Sequence, residues 1–166
     1  MKKIINGILI AGIMLSLVAC SSSEESLKEP ETVGEALAQD FHTRVKEEPE
    51  IGADELANAL LENEWILFEG VVVEIEEGLL TGFGNTEITG FENGEMFSPM
   101  IGTIPFVGYV FEVSGDVDVE EFMTTLQNNA DPRWNICTEA EELTLGKEGN
   151  KVFFLMSPMS FKETAE

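Results

Sequence analysis

Apolar residues fall at helical spacing in three stretches of the chain and at strand spacing through much of the rest. Val33, Ala36, Leu37, Phe41 and Val45 share one face of a helix, with 3.6 residues per turn. Thr32 and Glu35 form the T-x-x-E pattern of a capping box in front of that face. Pro49 ends it, because a proline inside a helix removes a hydrogen bond and clashes with the preceding turn. Ala53, Leu56, Ala57, Leu60 and Leu61 repeat the pattern, with Asp54, Glu55, Asn58 and Glu62 turned outward. A third helix is predicted where Asp118 and Glu121 make a capping pair and Val119, Phe122, Met123 and Leu126 form a buried stripe. It stops near Asn128 and Asn129, ahead of Asp131-Pro132.

Strand patterns occupy the gaps. Residues 66–75 alternate at their end, with Val71, Val73 and Ile75 opposed to Val72 and Glu74. Residues 86–91 are a short candidate, and residues 104–113 are β-branched and aromatic, with Pro105 at the start where proline is tolerated. Leu143-Thr144-Leu145 and residues 151–157 flank a turn at 146–150 and read as a hairpin. Helices first, strands in the middle, then a helix and a closing hairpin predict an α+β fold: one domain over residues 32–161, a mainly antiparallel sheet and about three helices.

The first nineteen residues stand outside that domain. Met1-Lys2-Lys3 is a basic start to a mostly apolar stretch ending at Ala19, short for a membrane span and suited to a signal peptide. Leu17-Val18-Ala19-Cys20 resembles the lipobox of bacterial lipoproteins at all four positions. The resemblance implies lipid on the Cys20 thiol, cleavage before Cys20, and a protein held on the extracytoplasmic face of the cell membrane. Two acyl chains, at about 0.8 kcal/mol per buried CH₂, hold durably where one binds reversibly. The competing reading is an ordinary secretory signal with a chance cysteine. Residues 20–31 then read as a lipidated cysteine and a flexible acidic tether, and residues 162–166 as a tail. From Ser21 to Glu31 the chain reaches at most about 37 Å, so the domain works close to its membrane.

Charge narrows the partners. The formal net charge of −23 becomes −25 on cleavage, because residues 1–19 hold Lys2 and Lys3 and no acid. Nucleic acid is excluded in practice, since phosphate binding needs clustered Lys or Arg. An anionic bilayer repels such a domain, which is expected to stand off on its tether rather than lie down. Solubility is the bland meaning of the acidity, and a cationic wall ligand or basic protein partner is the sharper one. With Cys20 lipidated, Cys137 has no partner in its own chain and is expected to be a small buried apolar residue.

Beyond the lipobox, the mature part resembles a group of small lipoproteins of Gram-positive intestinal bacteria. ITGF at 88–91, GTIPFVGYVF at 102–111, ADPRWNIC at 130–137 and GNKVFF at 149–154 carry the likeness. It implies no activity, cofactor or site residue.

Catalytic types are scarce. His42 is the only histidine, and nothing along the chain links it to Cys137, so neither a nucleophilic triad nor a closed zinc site is supplied. Asp116, Asp118 and Glu120 alternate like calcium ligands, but the glycine and distal glutamate of a calcium loop are absent and helix capping explains Asp118 better. Residues 78–94 hold five glycines without a Lys or Arg, amid Glu76, Glu77, Glu87 and Glu92, which suits a loop or hairpin rather than a phosphate cradle. Two stretches are odd for a plain domain. Residues 96–111 are uncharged and rich in Met and aromatics: part is core, and Phe97, Met100 and Ile101 are candidate contacts for a ligand or partner. Arg133 and Trp134 either bind an anionic or aromatic ligand, or pair with Asp131 and pack on the domain. The expectation is a membrane-tethered, non-catalytic binding module without cofactor or metal. A carboxylate-based hydrolase of wall or glycan substrates and an accessory subunit of an envelope complex are the alternatives.

Overall fold

The computed structural model describes residues 29–161. The signal segment, Cys20, most of the tether and the tail lie outside them.

Helix α1 (Val33–Glu47) starts where the capping box places it, with Thr32 Oγ1 accepting from the Glu35 amide at 3.1 Å. The Glu35 carboxylate reaches back to the amide of Glu31 at 2.7 Å, one residue before the cap. Its predicted face is buried at all five positions. Helix α2 (Ala53–Leu61) buries Ala53, Leu56, Ala57 and Leu60, while Leu61 is half-buried at the rim.

Both helices cover one face of a five-stranded sheet. Its strands are β1 (Gly70–Glu74), β4 (Phe91–Pro99), β5 (Val107–Val113), β6 (Glu142–Glu148) and β7 (Lys151–Ser157), in the order β1-β4-β5-β7-β6, antiparallel throughout. Two short strands, β2 (Gly78–Leu79) and β3 (Glu87–Ile88), pair separately. Helix α3 (Val119–Asn129) lies on the second face, capped by Asp118, whose carboxylate accepts from the Glu121 amide at 3.0 Å. The domain is α+β, with three helices and a mainly antiparallel sheet among the described residues.

Period-2 alternation produces two cores rather than one. Phe97, Val110, Phe153 and Leu155 point toward α1 and α2. Tyr109, Phe111, Val152, Phe154 and Met156 point the other way, onto Phe83, Ile88, Phe91, Phe122 and Leu126. Every residue of β7 is therefore buried, the unbroken apolar reading expected of a strand covered on both sides. Phe97 sits directly across from Gly108, and a Cβ there would fall 2.1 Å from the ring, so the glycine makes room for the phenyl group.

Several boundaries differ from the sequence reading. The strand predicted over 66–75 shrinks to β1, because Trp65, Ile66 and Phe68 pack in a loop against the helix-side core. The strand predicted over 104–113 begins only at Val107, after a tight turn in which the Phe106 amide donates to Ile104 O. The candidate at 86–91 is divided at Gly90, whose φ of +102° suits only glycine, and Phe91 opens β4. Strand β4 includes Asn93 and Gly94, which read as loop in sequence, and its register slips between Phe91 and Asn93. The last hairpin turns on Gly149 and Asn150 alone, so Gly146 belongs to β6.

The register defines two ends of the sheet. At the near end, Gly70 lies opposite Pro99, Val107 opposite Met156 and Glu142 opposite Ser157. The chain joins the fold here, since the Val33 amide at the start of α1 donates to Met159 O at 2.9 Å. At the far end, Glu74 lies opposite Glu95, and Lys151 opposite both Glu112 and Glu148.

Candidate functional site

Two near-end loops enclose an open cleft of about 480 Å³. One runs from Pro99 toward Phe106, the other from Trp134 to Cys137, and Met96, Ser98, Val107 and Thr81 complete the lining. The loops are tied together by the Asn135 side-chain amide, which donates to Gly102 O at 2.7 Å. The second loop is held to the domain by the Asp131 amide on Gly82 O at 2.8 Å and by the Ala140 amide on Pro132 O at 2.9 Å. Trp134 is half-buried against the second core, and its indole forms one wall of the cleft. An adjoining depression of about 240 Å³ is bounded by Phe68, Glu69, Met100 and Ile101, and shares Pro99 and Ile104 with the cleft.

The candidate residues separate clearly. Met100 and Ile101 are exposed, at 68% and 72%. Phe97 is fully buried at 0% and cannot contact a ligand or partner; β4 carries it into the helix-side core, stacked parallel to Phe153 and edge-on to Phe106. Trp134 lines the cleft, whereas Arg133 lines a shallower neighbouring depression of about 240 Å³. The guanidinium pairs with Glu139 rather than Asp131: Nε donates to the Glu139 carboxylate at 2.8 Å, and Asp131 instead accepts from the Arg133 backbone amide at 2.9 Å. Such an exposed ion pair contributes about 0–1 kcal/mol. Cys137 is exposed, which corrects the buried reading, because a loop without secondary structure carries it to the lip shared by both depressions. Ile136 beside it is almost wholly in solvent at 99%.

His42 lies elsewhere. Its Nδ1 is 2.9 Å from Glu148 Oε1, where α1 crosses β6 toward the far end, so it cannot serve the near-end Cys137. The cleft itself is lined by no carboxylate, histidine, lysine or arginine. Its chemistry is that of a partly apolar recess with a few neutral polar groups and the Cys137 thiol at its lip, which suits an uncharged or aliphatic group. Tyr109 beneath it is committed to structure: its hydroxyl donates to Thr81 O at 2.8 Å, and burial pushes its pKa up.

The far end carries a second, polar depression of about 350 Å³, with Asp54, Glu74, Glu95 and Glu112 around it. Burial, then repulsion from Glu74 and Asp54, raises the Glu95 pKa. Glu112 is already occupied, accepting from Asn93 Nδ2 at 2.6 Å and lying 3.6 Å from the buried Lys151 ammonium, which also donates to Pro49 O. Among the described residues, no group of three or more His, Cys, Asp or Glu is arranged to hold a metal ion. No helix among them is long and apolar enough to cross a membrane.

Sequence had marked the uncharged stretch and the Arg133-Trp134 pair separately, and the fold brings Met96 and Ile104 to face Trp134. Ile136 and Thr81 gave no signal as wall residues, since an isoleucine or threonine in sequence looks equally suited to a core or a strand. Comparison with known proteins adds no assignment: no family model, no curated protein and no solved structure matches the chain.

Proposed function

We propose that the chain is a membrane-tethered extracytoplasmic lipoprotein whose folded part is a non-catalytic binding module, with the near-end cleft as its ligand site. The open cleft of about 480 Å³ between the Pro99 and Trp134 loops carries this reading, because it offers an apolar wall and no carboxylate, histidine, lysine or arginine. An aliphatic or other uncharged ligand suits that lining, and a highly charged one does not. The anchor half of the proposal rests on the basic start, the h-region and the resemblance of Leu17–Cys20 to a lipobox.

Each half has its own test. Replacing Cys20 with Ser should abolish incorporation of labelled palmitate and leave the precursor uncleaved; a variant that still takes up label removes the anchor. For the cleft, the neutral probe N-phenyl-1-naphthylamine should bind the domain saturably with enhanced emission, and Ile104→Glu should weaken that binding at least tenfold by putting a charge on the apolar wall. Unsaturable binding, or binding indifferent to Ile104→Glu, removes the cleft as the site. Two alternatives keep one observation each. The raised pKa of Glu95 beside Glu74 and Asp54 favours a carboxylate-based hydrolase. The exposure of Met100 and Ile101 favours an accessory subunit that docks through that loop.

A further inference from the structure

We propose that the near end of the sheet is a membrane-contacting surface: Met100 and Ile101, flanked by Leu67, Met159 and Ile136, rest in the interfacial layer of the bilayer that holds the Cys20 lipid. This rests on the lipoprotein reading and goes beyond it by giving the domain an orientation, with its tip in contact with the bilayer where net charge alone predicts that it stands off.

The chain's point of attachment coincides with five of the exposed apolar side chains, while Leu79 and Val73 lie apart from it. Val33 at the start of α1 is bonded to Met159, and Phe161, two residues on, packs its ring 5.3 Å from Phe68 and 6.2 Å from Phe106. Phe68 bounds the depression that includes Met100 and Ile101, and the Met100 amide donates to Glu69 O at 3.0 Å. Leu67, Met100, Ile101, Ile136 and Met159 are each half exposed or more, between 50% and 99%. The span from Cys20 to Glu29 is at most about 30 Å fully extended, which keeps the near end beside the bilayer. Residues 96–111 carry no charge, whereas Asp54, Glu74, Glu95 and Glu112 gather at the other end. The short tether and the exposed apolar side chains set this orientation, since carboxylates stand at both ends of the sheet. Glu62, Glu64, Glu69, Asp131, Glu139, Glu141 and Glu142 also lie at this end, so contact should be firmest with zwitterionic lipid.

The test uses full-length lipidated protein reconstituted into phosphatidylcholine vesicles with brominated acyl chains, which quench tryptophan on contact. Ile101→Trp and Met100→Trp report on the tip, Asp116→Trp on an exposed far-end turn, and the parent protein corrects for Trp65 and Trp134. Circular dichroism confirms that each variant is folded. The tip tryptophans should lose about half of their emission or more at the insertion depth of about 5–10 Å typical of interfacial apolar groups, and Asp116→Trp should lose none. Protein that floats with the vesicles and carries lipid on Cys20, yet shows no quenching at 100 or 101, overturns the contact and leaves the lipoprotein reading standing. A crosslink from position 101 to another protein in whole cells would then give the tip to a protein partner. Equal quenching at 101 and 116 overturns the end-on orientation. Protein with no lipid that does not float removes the lipoprotein reading and this proposal with it.

Discussion

At the near end of the sheet the strands run out into long connections, residues 62–69, 100–106 and 130–141, whose tips leave Met100, Ile101 and Ile136 in solvent. At the far end the connections at 48–52, 114–118 and 149–150 are short, and the depression there is walled by carboxylates where the near-end cleft is walled largely by apolar side chains. The strands between are the same strands, so the contrast belongs to the loops. A sheet buried on both faces holds its ends rigidly, and the loops at one end are then free to carry side chains that do not serve the core. The second-face excursion over residues 75–90 joins the two regions, leaving the far end at β1 and placing Thr81 in the near-end cleft.

Phe97 marks where core stops and surface begins at the near end, and its replacement should have the largest effect. Phe97→Ala should destabilise the domain by about 3–5 kcal/mol, the usual cost of emptying a buried aromatic site. Met100→Ala, three residues along, should stay within about 0.5 kcal/mol. Denaturant midpoints for the pair measure the step directly. Equal shifts would mean that Met100 is also packed and that the apolar tip is part of the core.

Cys137 gives a smaller and opposite check. An exposed thiol contributes little packing, so Cys137→Ser should move the midpoint by less than about 0.5 kcal/mol. A loss of about 2 kcal/mol or more, as for a hydroxyl forced into an apolar interior, would place the side chain inside and close the lip of the cleft.

How much of this was legible in the sequence follows from what each element needs. The three helices announce themselves locally, through Thr32, Asp118 and stripes at i, i+3 and i+4, and the structure places all three. Strands β5 and β7 were legible as apolar runs. Strand β4 was not, because Asn93, Gly94 and Pro99 are loop-forming residues whose extended conformation is enforced by β1 and β5 on either side. Sequence alone therefore leaves Phe97 between core and contact. That choice depends on which face of β4 it occupies, and register against Gly108 settles it. The cleft was half visible: an uncharged stretch and an Arg-Trp pair stood out, but their approach is a tertiary event fixed by single bonds such as Asn135 to Gly102. Residue type alone misplaces Cys137, because cysteine is on average among the most buried residues and this one sits in an exposed loop.

The far end offers the mildest perturbation and the clearest sign. Glu95 is partly buried in β4, with Glu74 across the strand pair and Asp54 at the start of α2, and burial more than repulsion raises its pKa. A carboxyl whose pKa rises on folding costs stability wherever the folded and unfolded forms are both ionised. The cost fades as pH falls through the folded pKa and is gone below the unfolded one. Glu95→Gln should therefore raise the thermal midpoint slightly at pH 7, and the gain over the parent should shrink to nothing as pH is lowered through the carboxylate range. Glu74→Gln should give a smaller gain of the same sign, since repulsion is the lesser cause. Thermal melts of the parent and both variants across that range measure it. A gain that persists unchanged at low pH would mean that glutamine stabilises by packing or hydrogen bonding, and that the far end is less electrostatically strained than its carboxylates suggest.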